Sequence, residues 1–149
     1  MIAQYQHLLT TLAEDVGLEA SALLATEEVV IDGLTIGMQL ADEGEQAEVL
    51  LCSLLGPVSA DRWPEVARSL LLANHLWTGT GGATLGVMDD ENTVSLNVRR
   101  PLHGLDAHQL SQWLAQTADI GLAWQDYLSQ PHEMPPSIAW PDAEAGLRV

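Results

Sequence analysis

The chain has 149 residues, 47% of them apolar, which suits one domain with a buried core. Five basic residues, all arginine, stand against twenty-one acidic ones, for a net charge of −16. Such a surface repels phosphate backbones and anionic lipid, and so argues against nucleic acid and membrane surfaces as partners.

The first residues, "MIAQYQHLL", lack the basic start and long apolar run of an export signal. No apolar stretch approaches the roughly 18–20 residues of a membrane span, so a cytoplasmic location is expected. Cys52 is alone, which rules out an internal disulfide, and its place in "VLLCSLL" predicts a small buried residue.

In chain order, Ile2, Tyr5, Leu9, Leu12 and Val16 recur at three- and four-residue steps, with Leu8 beside them. That spacing predicts a helix over residues 2–15, closed by Gly17. The period then changes to two. The β-branched run 29–31, the turn pair Asp32-Gly33 and the alternation of Leu34, Ile36, Met38 and Leu40 predict a hairpin. A turn at 42–46 leads into 47–55, apolar on both faces, which predicts a central or covered strand. The three strands form an antiparallel meander.

Asp61 is the expected N-cap of a second helix, with Pro64 in its first turn and its end near Leu76. Trp63, Val66, Ala67, Leu70, Asn74 and Trp77 share a stripe. Leu71, Leu72 and Ala73 widen it beyond what one sheet face needs, and a helix apolar on two sides is buried on two sides. In so small a chain the second side points to a partner subunit.

"LWTGTGGATLGV", residues 76–87, has the glycines of a phosphate loop. A phosphate loop runs from strand to glycines to helix and needs a lysine after the last glycine. Here the order is reversed, lysine is absent and carboxylates follow at 89–91. The glycines are therefore structural: Gly79 as a left-handed helix stop, Gly81 and Gly82 as a turn, Gly86 as a close-packed strand position.

"ATLGVM" and "TVSLNV" bracket "DDEN", a hairpin with an acidic tip that lacks the spacing of a calcium loop. Pro101 ends its second strand. Asp106 as N-cap, Gln109 three residues on, and Leu105 with Leu110 as staple open the last helix. Its stripe is Trp113, Leu114, Thr117, Gly121, Trp124 and Leu128, about six turns. Residues 131–149 hold four prolines and no period, which predicts an irregular tail.

Catalytic patterns are missing. His103 and His108 flank Asp106, but Asp106 has a capping task and no Ser or Cys motif accompanies them. Neither H-x-x-x-H nor C-x-x-C occurs, so no metal site or cofactor is implied. The expectation is a protein that is not an enzyme; the alternative from another class is a small acidic enzyme using carboxylate and histidine chemistry.

The element order is α-β-β-β-α-β-β-α, an α+β fold with a twisted antiparallel sheet of about five strands and three helices. With it comes "LLLANHLWTGTGGATLGVMDDENTVSLNVRRPLHGLDAHQLSQWLAQTADIGLAWQDYL". The apolar helix ending in Asn74, the small-residue turn, the hairpin, the Pro-Leu step at 101–102, the Leu105-Asp106 helix start and Trp124 resemble the class I type III secretion chaperones, the Tir-chaperone-like family. The resemblance covers residues 1–130 as one domain, with 131–149 outside it. It implies a homodimeric, bacterial cytoplasmic protein that holds an N-terminal segment of a secreted effector extended, without ATP. Some relatives instead hold regulators of secretion gene expression, which makes a regulatory adaptor the alternative within the fold.

An extended client needs backbone partners from a sheet edge and pockets for alternate side chains. The expected client groove combines Ile2, Tyr5, Leu9 and Leu12 with the strand face of Leu34, Ile36 and Met38. The expected dimer interface is the second helix with the following hairpin: Val66, Leu70, Leu71, Ala73, Trp77 and Leu96.

Overall fold

The apolar stripes of the sequence become four helices and five strands in a computed structural model that describes residues 1–43, 46–88, 92–130 and 134–138. The elements are α1 (Ile2–Val16), α2 (Ala20–Thr26), β1 (Glu28–Ile31), β2 (Leu34–Glu43), β3 (Gln46–Pro57), α3 (Trp63–Asn74), β4 (Thr84–Met88), β5 (Thr93–Pro101) and α4 (Ala107–Ser129). The strands form one sheet in the order β1-β2-β3-β5-β4. Two compact units divide the chain: Met1–Cys52 with Arg99–Ala118, and Ser53–Val98 with the described residues from Asp119 onward.

In the first unit, α1 buries Tyr5, Leu8, Leu9, Leu12 and Ala13 on one stripe and stops at Gly17, whose left-handed backbone donates to Ala13. α2 was not expected from the sequence, and it makes the helix count four rather than three. Glu19 caps it: the carboxylate accepts from the Ala22 N–H at 2.8 Å and from the Ser21 hydroxyl. Asp32 and Gly33, both at positive φ, turn β1 into β2 in the two-residue form that suits strand twist. β2 and β3 then pair from Gly37↔Cys52 to Glu43↔Gln46. Val29, Leu34, Ile36, Met38, Val49 and Leu51 fill the covered face.

β3 meets the first of its two expectations and not the second. It is central in the sheet order, yet only the face of Ala47, Val49, Leu51, Ser53 and Leu55 is buried. Leu54 is 49% exposed, and Cys52, expected to be buried, is also exposed. An apolar residue on the second face of a strand is buried only if a second layer covers it, and the described helices of this chain leave that face open. Partial burial still pushes the Cys52 thiol pKa above its ordinary value.

In the second unit, α3 turns Val66, Ser69, Leu70 and Ala73 inward. Its N-cap is Arg62 rather than Asp61. Arg62 has helical φ/ψ, so no side-chain cap forms there, and the Asp61 carboxylate is held by the Ser59 hydroxyl, which lowers its pKa. Arg62 instead binds the end of α4: Nη1 donates to the Leu128 carbonyl at 2.7 Å and the guanidinium lies 5.9 Å from the Tyr127 ring centroid. Tyr127 shares a 2.9 Å hydrogen bond with Ser69 and meets Trp124 edge to face.

Gly79 does not stop α3. The helix ends at Asn74, and Leu76 and Trp77 take the left-handed conformation expected of the glycine. Gly79 is small for another reason. A Cβ there would lie 2.6 Å from that of Ala73, and its carbonyl accepts from Trp124 Nε1 at 2.8 Å. Gly81 and Gly82 form the expected turn, and Gly86 packs close to Ser95.

β4 and β5 pair from Thr84↔Asn97 to Met88↔Thr93, and Pro101 ends β5. α4 opens as expected: the Asp106 carboxylate accepts from the Gln109 N–H at 2.8 Å and the Gln109 side chain accepts from the Asp106 N–H at 3.1 Å. Trp113, Leu114, Thr117, Trp124 and Leu128 are all buried. The tip at 89–91, the middle of the 42–46 turn and most of the tail lie outside the described residues; 134–138 carry neither helix nor strand.

Candidate functional site

A protein that holds an extended chain has to offer peptide groups as well as apolar surface. In this fold the peptide groups are at the two outer strands, β1 and β4. Along an antiparallel pair, residues alternate between exchanging ladder hydrogen bonds with the neighbour and turning their N–H and C=O outward.

At β4 the outward groups include those of Leu85, and Asn74 closes them. Its Nδ2 donates to the Leu85 carbonyl at 2.8 Å, and its Oδ1 accepts from the Leu85 N–H at 2.9 Å. A side-chain amide thus replaces a missing strand. At β1 the register places Glu27 opposite Met38, joined by a 2.7 Å bond from the Met38 N–H to the Glu27 carbonyl. Counting forward, Val29 and Ile31 bond to β2, while Glu28 and Val30 face outward. Thr26 Oγ1 accepts from the Glu28 N–H at 3.3 Å. The N–H and C=O of Val30 face the open side, and its side chain is 68% exposed.

The expected client residues divide sharply. Tyr5, Leu9, Leu12, Leu34, Ile36 and Met38 are in the core of the first unit, none more than 3% exposed, and Ile2 is 65% exposed. Six of these seven side chains are core, and a client reaches them only by prising that core apart. Burial pushes the Tyr5 phenol pKa above its ordinary value, and the Glu27 carboxylate beside it adds to the shift. The accessible apolar residues around β1 were missed because Val30 sits in a run too short to show which face is open.

The expected dimer residues divide in the same way. Val66, Leu70, Ala73 and Leu96 are buried within the second unit, whereas Leu71 is 73% exposed and Trp77 is exposed too. The outer face of α3 carries a second stripe. Pro64, Ala67, Arg68, Leu71, Leu72 and His75 line a shallow groove of about 580 Å³, and Leu76 continues it at the left-handed turn. Large apolar side chains on two sides of one helix are what the sequence showed, with the inner and outer sets now separated.

Among the described residues, no three His, Cys, Asp or Glu side chains come together as a metal site, and no helix is long and apolar enough to cross a membrane. His103, Asp106 and His108 are exposed at the start of α4, with Asp106 engaged as the cap.

A sequence model of the Tir chaperone protein (CesT) family matches residues 7–120. The chain belongs to this family. Type III secretion chaperones of the Tir chaperone type are binding proteins rather than enzymes. No curated protein matches the chain significantly. Among solved structures, the chain is similar to one in the ExsC–ExsE complex, with a TM-score of 0.70 and 20% identity over 89% of this chain and 97% of that one. It is similar to the Yersinia pestis type III secretion chaperone SycH in complex with a fragment of YscM2, with a TM-score of 0.55 and 20% identity, over 79% and 97% of the two chains. It is also similar to the ExoT–SpcS complex of Pseudomonas aeruginosa, with a TM-score of 0.54 and 17% identity, over 80% and 95%.

Proposed function

We propose that this Tir chaperone family member holds the N-terminal segment of a type III secreted effector in extended form in the bacterial cytoplasm, keeping it soluble and competent for export without ATP. The single observation that carries this reading is the open stretch of the β1 edge at Val30. β4 is closed at Leu85 by a side-chain amide, whereas β1 presents the Val30 peptide groups beside an exposed apolar side chain. Strand addition uses such an edge. The client strand lies along β1, beside the exposed side chain of Val30.

The working form is a homodimer through the outer face of α3. Leu71, Leu72, Leu76 and Trp77 are the apolar residues that a second copy covers, and obligate dimer surfaces have this composition. The complexes formed by similar structures, such as ExoT with SpcS, support a protein client.

Co-purification from the native bacterium, with mass-spectrometric identification and limited proteolysis of the bound protein, tests the reading. The expected result is an exported protein whose N-terminal segment is protected while remaining protease-sensitive elsewhere. A bound regulator of secretion gene expression supports the adaptor alternative instead. A chain that purifies alone from secreting cells overturns both.

A further inference from the structure

We infer that the segment taken at the β1 edge is cationic, with an aliphatic residue opposite Val30 and a lysine or arginine two positions to either side. The inference rests on the strand-addition reading above and specifies the chemistry of its client. Glu28 and Val30 point to the same, outer face of β1, and Asp32 follows at the turn; all three are exposed. A strand added beside Val30 places its own neighbours on that face at steps of two, opposite Glu28 on one side and next to Asp32 on the other. Because the pattern is symmetric, it holds for either direction of the added strand.

Among the described residues no countercharge is paired with these acids. Lysine is absent from the sequence. Of the described arginines, Arg99 pairs with Glu48 at 3.3 Å, Arg100 lies over Trp113, Arg62 is bound to the end of α4, and Arg68 lines the α3 groove. Glu28 and Asp32 therefore stand exposed on β1 and at its turn, with no arginine paired to them among the described residues. Charge on an edge strand also deters unwanted pairing, so the same two acids disfavour an acidic strand while favouring a basic one.

Two labelled synthetic peptides with acetylated and amidated ends test this, one with the core Lys-Ile-Val-Ile-Lys and the other with Glu-Ile-Val-Ile-Glu, in identical flanks. Binding is measured by fluorescence anisotropy at low and at high salt, on the full chain and on Glu28→Lys and Val30→Pro variants whose folding is checked by circular dichroism. Pro at 30 removes an outward N–H and no ladder bond; Val30→Lys, which leaves the backbone intact, serves if it fails to fold. The cationic peptide is expected to bind more tightly, by about two- to fivefold per charge pair. Salt shrinks the advantage and Glu28→Lys cancels or reverses it. Val30→Pro, or Val30→Lys in its place, weakens the cationic peptide. If both peptides bind equally and the Val30 variant weakens both, the edge reading stands and the cationic assignment falls. If neither peptide binds, or the Val30 variant leaves binding unchanged, the edge reading itself falls.

Discussion

Asn74 shows how one side chain decides what an edge can do. Its amide satisfies both peptide groups of Leu85 and pins the turn in which Leu76 and Trp77 hold left-handed conformations that cost non-glycine residues about 1–3 kcal/mol each. Asn74→Ala removes both bonds and is expected to lower stability by about 1–3 kcal/mol, read from urea unfolding. An unchanged midpoint would show that the clamp is incidental. Glu19 is the corresponding residue in the first unit. Its pKa is lowered by the Ser21 hydroxyl first and the Ala22 N–H second. A lowered folded-state pKa means that the contribution is complete above the ordinary Glu pKa and is lost as pH falls through the lowered value. Glu19→Ala should therefore speed amide exchange in α2 at neutral pH, with the difference from the native protein fading at pH values below the carboxylate range. Gly79 was legible as special in sequence but not for its actual task. A glycine permits both a positive φ and a close approach, and only packing against Ala73 tells which is used.

At the scale of elements, the sequence signals that worked were local ones. The Asp106–Gln109 cap, the Asp32-Gly33 turn and the alternation of β2 each need only their own neighbours, and each forms as expected. α2 was missed because seven residues hold under two turns of period and its cap is a glutamate, outside the usual Ser, Thr, Asp and Asn. The candidate site was half legible. An apolar stripe declares that something covers it, but the same periodicity describes a core and a docking face. α3 resolves the ambiguity because it carries two stripes, and one helix side can pack inward only once. Leu70 belongs to the inner stripe and Leu71 to the outer. Leu70→Glu buries a charge and should give insoluble or unfolded protein, whereas Leu71→Glu should give a folded monomer by light scattering and circular dichroism. A full-strength dimer from Leu71→Glu would remove α3 from the interface.

For the molecule as a whole, charge is the dominant long-range term. Twenty-one acidic groups meet five arginines, and the Arg99–Glu48 pair is partly solvated, so it offsets little of the repulsion. Self-repulsion of this kind destabilises the compact state and also opposes dimerisation, because two copies bring the same sign of charge together. It follows that this protein is more stable with added salt, the reverse of a fold held by surface ion pairs. Between about 10 mM and 150 mM salt the screening length falls from about 30 Å to about 8 Å, short enough to uncouple most exposed carboxylates from one another. The midpoint of thermal unfolding, followed by the fluorescence of the buried Trp113 and Trp124, should rise over that range, and the dimer dissociation constant should fall. A basic client strand at β1 would act in the same direction as salt, neutralising Glu28 and Asp32 locally, so the salt-induced rise should be smaller for the complex than for the free chain. A midpoint that stays flat or falls with salt would mean that the acidic groups are spaced too widely to repel, and that net charge plays no part in how this chaperone meets its partners.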